Sequence, residues 1–249
     1  MLVDQHGNAL SSKRESSRAI RARYDSAATT DDNRRHWANA DSLSAVAANS
    51  AHVRKRLRER SRYEVANNSY ARGILNTLSA YTVGAGPTLQ LTYKGNDESV
   101  DAVEMRKATQ QVEGLWANWA YVRKLAQKLA TMQLAIDCDG EAFAMTTSAT
   151  RPSMQTPVQL DVRLYECDHF ESEYGSDDAG VKIDSSGEPI EYAFSADHPG
   201  DNLAFARSDW ISADQVIHLF RTERPGQLRG IPKTTPALPL FAQLRRFTL

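Results

Sequence analysis

Residues 216 to 232, VIHLFRTERPGQLRGIP, concentrate side chains that could do chemistry into one short passage. An apolar run, Val216 to Phe220, carries His218 and leads into a loop where Arg221, Arg224 and Arg229 alternate with Pro225, Gly226, Gly230 and Pro232. Such a loop costs conformational entropy and must be held by something, so its arginines read as a binding loop. A lone histidine in a strand is by default a hydrogen-bonded structural residue, and no nucleophile motif such as GxSxG accompanies it.

Five more arginines, Arg54, Arg56, Arg58, Arg60 and Arg62, stand in AHVRKRLRERSRYEVA. Arg54, Arg58 and Arg62 share one helical row, and Arg56 and Arg60 lie about 200° around from it. Charge that wraps a helix suits a solvated or subunit-contacting surface better than a single DNA-reading stripe, with phosphate contact as the alternative. Among the acids, Asp137, Asp139 and Glu141 echo the opening of a calcium loop but lack its remaining ligands, so helix-stop chemistry accounts for them. Glu166, Asp168, Glu171 and Glu173 read as a solvated acidic rim, because a catalytic pair would need a cleft and displaced pKa values. Gly84-Ala85-Gly86-Pro87 follows a helix instead of opening one, which is a helix stop and not a phosphate cradle. No cofactor or metal site is expected.

The bulk properties are those of an ordinary soluble globular protein. The chain has 249 residues, 41% hydrophobic and 24% charged, enough for a real core. No run of 18 apolar residues occurs, and the start, MLVDQHGNALSSKRESSR, has no apolar signal core. Cys138 and Cys167 fit no metal-ligand spacing and are expected to be reduced thiols in a cytoplasmic setting. The net charge of −1 is uneven: residues 1 to 75 hold 14 Lys/Arg against 8 Asp/Glu, and the remainder 16 against 23. A basic end and an acidic body suit an assembly contact or a polyanion near the N-terminus.

The elements that must position these groups follow from pattern. Residues 1–49, without sustained period, read as an arm, extended or partly disordered, that orders on a partner. Residues 50–249 read as one α+β domain: N-terminal helices, then a mixed, largely antiparallel sheet, then an incomplete helix. Ser50 to Ala66 is a helix; Asn67-Asn68 is a turn, and Ser69 caps a second helix to about Val83. That second helix is expected to bury Tyr70, Ile74, Leu78 and Tyr81. A strand Thr88 to Tyr93 follows, then a long helix from Asn96 or Asp97 whose Trp116 and Trp119 pack in the core or at a subunit interface. A helix Lys124 to Ile136 breaks at Asp137-Cys138-Asp139-Gly140 before a strand Glu141 to Thr146. Alternation makes Val158 to Tyr165 a half-buried strand, and Val181 to Asp184 with Ile190 to Ser195 a hairpin.

Four passages together resemble the lambda-type family of tailed-phage portal proteins. They are NNSYARGILNTLSAYTVGAGPTLQ, the helix-to-Asp-Gly-Glu break near Gly140, GEPIEYAF with the following HPGD, and HLFRTERPGQLRGIP. RRHWANADSLSAVAANS resembles the family's N-terminal segment, so the likeness runs from about residue 30 to the end. It implies a non-enzymatic structural subunit of a ring, usually dodecameric, at one capsid vertex, the conduit for DNA packaging and ejection. The partners it implies are other portal subunits, terminase, capsid and tail-connector proteins, and double-stranded DNA; no membrane is implied. The chain then corresponds to the portal wing, with stem, clip and crown absent, as a truncated prophage gene would leave it. In that context Pro225, Gly226 and Gly230 set the bend between wing sheet and channel helices. Arg54, Arg56, Arg58, Arg60, Arg62, Arg221, Arg224 and Arg229 are the candidate contacts to DNA or a neighbouring subunit. The alternative is a nucleic-acid-binding accessory protein that uses the arginine helix at 52–62.

Overall fold

The computed structural model describes residues 31, 34–92, 101–148, 156–171, 179–201 and 208–248. Residues Met1–Ser42 and Leu43–Leu249 are separate compact units. In the first, Arg34 and Asp31 pair at 3.6 Å and the rings of His36 and Trp37 lie 5.8 Å apart. The second holds the chemistry considered below. The expected Glu173, Asn96, Asp97 and Tyr93 positions lie outside the described residues.

The second unit opens with helices α1 (Ala45–Ala48), α2 (Ala51–Asn67) and α3 (Ser69–Val83). Asn68, not Ser69, caps α3: its side-chain oxygen accepts from the backbone N–H groups of Tyr70 and Ala71, satisfying two donors that a helix start leaves open. Helix α4 (Ala102–Val122) is capped by Asp101, and α5 (Leu125–Asp139) runs three residues past the expected end to a left-handed Gly140 at φ 95°. Thr88 to Thr92 pair with no strand among the described residues; Leu91 instead donates its N–H to Glu113 on α4.

Among the described residues six strands follow: β1 (Glu141–Ser148), β2 (Leu160–Tyr165), β3 (Val181–Ile183), β4 (Pro189–Ser195), β5 (Ser208–Ser212) and β6 (Val216–Phe220). They form two antiparallel three-stranded sheets, β2-β1-β6 and β3-β4-β5, and helix α6 (Leu238–Thr248) ends the described chain. The α+β architecture expected from pattern is present, with its strands divided between two sheets.

Strand β1 organises the core because its alternation serves two faces. Ala142 and Ala144 meet Met132 of α5 on one side, joined by Val162, Leu164 and Ile217. Phe143 points the other way, into a cluster with Cys167, Phe170, Val181 and Tyr192 that joins the two sheets. The Phe143 ring is sandwiched between Phe170 at 4.0 Å and His218 at 4.1 Å, both nearly parallel to it.

The helices bury the opposite of what side-chain size suggests. On α3 the inward row is Ala71, Leu75 and Ser79, and Ser79 donates to the Ala130 carbonyl of α5. Tyr70, Ile74, Leu78 and Tyr81, expected in the core, are exposed, Tyr81 by 88%. The period was right and the phase was not, because small residues let α3 and α5 approach closely. Helix α4 buries no residue fully; Val103, Val112 and Leu115 are exposed, and the half-buried rings of Trp116 and Trp119 lie tilted to each other at 5.1 Å.

Two glycines permit a close backbone crossing. A Cβ on Gly140 would overlap the Ile231 carbonyl carbon, and one on Gly230 would overlap the Gly140 carbonyl oxygen. Gly140 also needs its positive φ. Gly140→Ala is therefore expected to cost more than about 2 kcal/mol in urea unfolding, whereas Gly187→Ala, at positive φ but in open space, costs about 1 kcal/mol. Equal losses at the two positions would show that the crossing adjusts freely.

Candidate functional site

Helix α2 has four buried residues, Arg54, Arg58, Ser61 and Glu64, and all are polar. Its inward row is the arginine row, and each guanidinium there meets a carboxylate from a distant part of the chain. Arg54 forks onto Glu171, Nη2 at 2.8 Å and Nε at 3.3 Å, and gives Nη1 to the Asn49 carbonyl. Arg58 bridges Glu171 at 2.5 Å and Glu141 at 3.4 Å. Arg62 forks onto Asp139 at 2.9 and 2.8 Å and reaches Asp168 at 2.6 Å. Ser61 shares a 2.6 Å hydrogen bond with Thr234, and Glu64 accepts from Arg245 of α6.

At the centre lies Glu141, the first residue of β1, wholly buried. It receives a two-bond fork from Arg229 at 2.7 and 2.8 Å, the Gly230 N–H at 3.1 Å and Arg58, and it contacts His218 Nε2 at 3.1 Å. Arg229 also donates to the carbonyls of Phe170 and Ala179. Its own carbonyl accepts from Asn49 and from Gln227. Gln227 accepts in turn from the N–H groups of Glu223 and Arg224, which shapes the loop after β6. The entropy cost of that loop is thus offset by a buried polar network.

The electrostatics follow from this geometry. Burial by itself would raise the Glu141 carboxyl, but Arg229 and His218 outweigh it and hold it well below the ordinary range. Glu171 and Asp168 are likewise lowered, burial being overcome by Arg229, Arg54 and Arg58 for the first and by Arg58 and Arg62 for the second. Burial pushes His218 down against the raising effect of Glu141, favouring the neutral ring. Both cysteines are free, and burial pushes the Cys138 thiol up to about 12 and Cys167 higher still, which disfavours the thiolate a nucleophile needs.

Several expectations change. Asp137, Asp139 and Glu141 do not converge; they pair separately with Lys233, Arg62 and Arg229. Asp168 and Glu171 are not a solvated rim but the partners of the arginine row, while Glu166 is exposed. Glu166, Asp168 and His198 bring ligand atoms within 4.8 Å of one another, yet Arg62 Nη2 lies 2.6 Å from Asp168 and 3.7 Å from Glu166. A guanidinium already fills the cation position. His198 accepts the Gly200 N–H on Nδ1 and turns Nε2 to Glu166.

Of the candidate contact residues, Arg54 and Arg58 are each 2% exposed and Arg229 1%, all committed to ion pairs, and Arg62 is partly buried. Arg54 and Arg58 are thereby turned away from any external partner. Arg56, Arg60, Arg221 and Arg224 remain at the surface; Arg56 pairs with Glu59, and Arg224 donates to the Leu43 carbonyl. Sequence reading missed Arg123, a buried guanidinium held by neutral oxygens of Thr156, Val158 and Leu160. It has no acidic neighbour at helical spacing to mark it.

Residues 31–248 match the family described as phage portal protein, lambda family. The match covers nearly the whole second unit, including every residue of the buried cluster. The chain belongs to the lambda family of phage portal proteins. No curated protein matches it. The resemblance read from HLFRTERPGQLRGIP and its companion passages is borne out, and the portal family gives the chain a structural role in the phage particle. Among the described residues no helix is long and apolar enough to cross a membrane.

Removing one partner from a buried pair leaves an uncompensated charge, so Arg229→Met is expected to cost about 3–5 kcal/mol in urea unfolding, and Glu141→Gln in the same protein should recover part of it. A loss below about 1 kcal/mol would show that the cluster does not hold the fold. The pH dependence has a definite sign. The lowered pKa values of His218, Glu141 and Glu171 mean that the unfolded chain binds protons the folded one refuses. Stability is therefore full between about pH 8 and pH 6.5, declines below that as His218 titrates in the unfolded state, and declines further below about 4.5 as the carboxylates do. His218→Gln should remove the first decline and spare the second in urea midpoints measured from pH 8 to 4.

Proposed function

We propose that this chain is a structural subunit of a portal ring at the capsid vertex, and that the α+β unit is the wing of that subunit. The observation that carries the reading is the family match across residues 31–248. Two features support it. The cluster around Glu141 uses its charged groups to hold α2, β1 and the 229–232 loop together, an arrangement suited to a part that must keep one shape. The large side chains of α3 and α4 face outward, where neighbouring subunits of a ring would cover them.

On this reading the partners are identical subunits, twelve in the family's usual ring, together with terminase, capsid and tail-connector proteins. Double-stranded DNA passes through the ring during packaging and ejection, and the chemistry of packaging resides in the terminase. Native mass spectrometry of the purified chain, with electron microscopy of the same sample, tests the proposal. The expected result is a closed ring of identical subunits; a monomer at every concentration up to about 100 μM would overturn it, since obligate assemblies persist well below that level.

A further inference from the structure

Two surfaces of the second unit are opposite in charge and alike in apolar content. The first is a groove of about 530 Å³ between α2 and α6, walled by Arg56, Arg60 and Tyr63 and floored by Leu238, Pro239 and Ala242. Its acids are already matched: Glu59 pairs with Arg56 at 3.3 Å and Glu64 with Arg245 at 2.9 Å. Arg60 on the wall and Arg246 on the adjoining surface of α6 have no ion-pair partner among the described residues. The groove therefore carries uncompensated positive charge over an apolar floor.

The second surface is the β3-β4-β5 sheet. Its described residues, 179–201 and 208–214, hold seven Asp/Glu against one Lys. That lysine, Lys182, is taken by Glu191 at 2.6 Å. The β3–β4 turn, Asp184 to Glu188, is exposed throughout and flanked by exposed Ile183 and Ile190. Asp184 accepts the N–H groups of Ser186 and Glu188, which keeps its carboxyl lowered and the turn rigid.

The geometry points to a head-to-tail contact in which the acidic β3–β4 hairpin of one copy docks in the α2–α6 groove of a second copy. Isoleucines meet the apolar floor, and Asp184 and Glu188 meet Arg60 and its neighbours. Two different patches on one chain make a heterologous interface, which closes into a ring or runs on as a filament. A nucleic-acid occupant is disfavoured by the apolar floor of the groove, from which a phosphate backbone gains nothing. This contact rests on the ring reading and names the surfaces that would build it.

A variant with Arg60→Glu and Arg246→Glu and another with Glu188→Lys and Ile190→Ser test the contact, with far-UV circular dichroism and thermal midpoints as folding controls. In sedimentation velocity each variant alone is expected to self-associate at least tenfold more weakly than the wild type. Mixed one to one, they should form a discrete dimer, since one intact pair of surfaces survives. Raising salt from about 0.1 to 1 M should weaken wild-type assembly by screening the exposed charges. As a second measurement, Arg60→Cys and Glu188→Cys in one chain should give a disulfide between copies on oxidation. Variants that assemble like the wild type, with no cross-link, overturn this contact and leave the ring reading intact. A wild type that never assembles overturns both. Loss of duplex DNA binding in the Arg60 variant with assembly unchanged assigns the groove to nucleic acid and overturns the contact.

Discussion

The fold depends on one carboxylate. Glu141 begins the central strand, has no exposure to water, and is held by Arg229, Arg58, His218 and the Gly230 N–H. An isolated ion at such a depth would cost many kcal/mol, so the groups around it must all be in place together. That requirement ties α2, the strand pair β1 and β6, and the loop after β6 into one arrangement. It also explains the two glycines at the crossing, since the 229–232 backbone can bring Arg229 to Glu141 only by passing within contact distance of Gly140.

Charge takes the place that apolar contact normally has under a helix. Helix α2 is seated by arginines and a serine, and Glu171 collects Arg54 and Arg58 while Arg62 collects Asp139 and Asp168. Bidentate guanidinium forks fix both distance and orientation, so such a seat specifies one position closely, where an apolar surface tolerates sliding. One consequence is that large apolar side chains face outward on α3 and α4.

Much of the framework was legible in the chain itself. The hairpin of β3 and β4 follows from alternation around Ser185-Ser186-Gly187 and the structural role of His218 from its setting in an apolar strand, whereas the start of α3 was placed to within a residue but with Ser69 in the capping role that Asn68 fills. Family membership was readable too, because HLFRTERPGQLRGIP and HPGD are arrangements of residue types that no general rule of helix or strand formation demands. What failed was phase: Tyr70, Ile74, Leu78 and Tyr81 recur at helical spacing, and so do Ala71, Leu75 and Ser79, and periodicity does not say which row a neighbour will cover.

The sequence by itself determined the local elements, because caps, turns and periods act over a few residues, and it determined the family. Only the tertiary structure decided what the arginines do. Arg54 lies 117 residues from Glu171 and Arg229 lies 88 from Glu141, so nothing local distinguishes Arg54 and Arg58, which are buried, from Arg56 and Arg60, which are not. A charged side chain far from its partner in sequence looks solvated until the chain folds and brings the counter-charge to it.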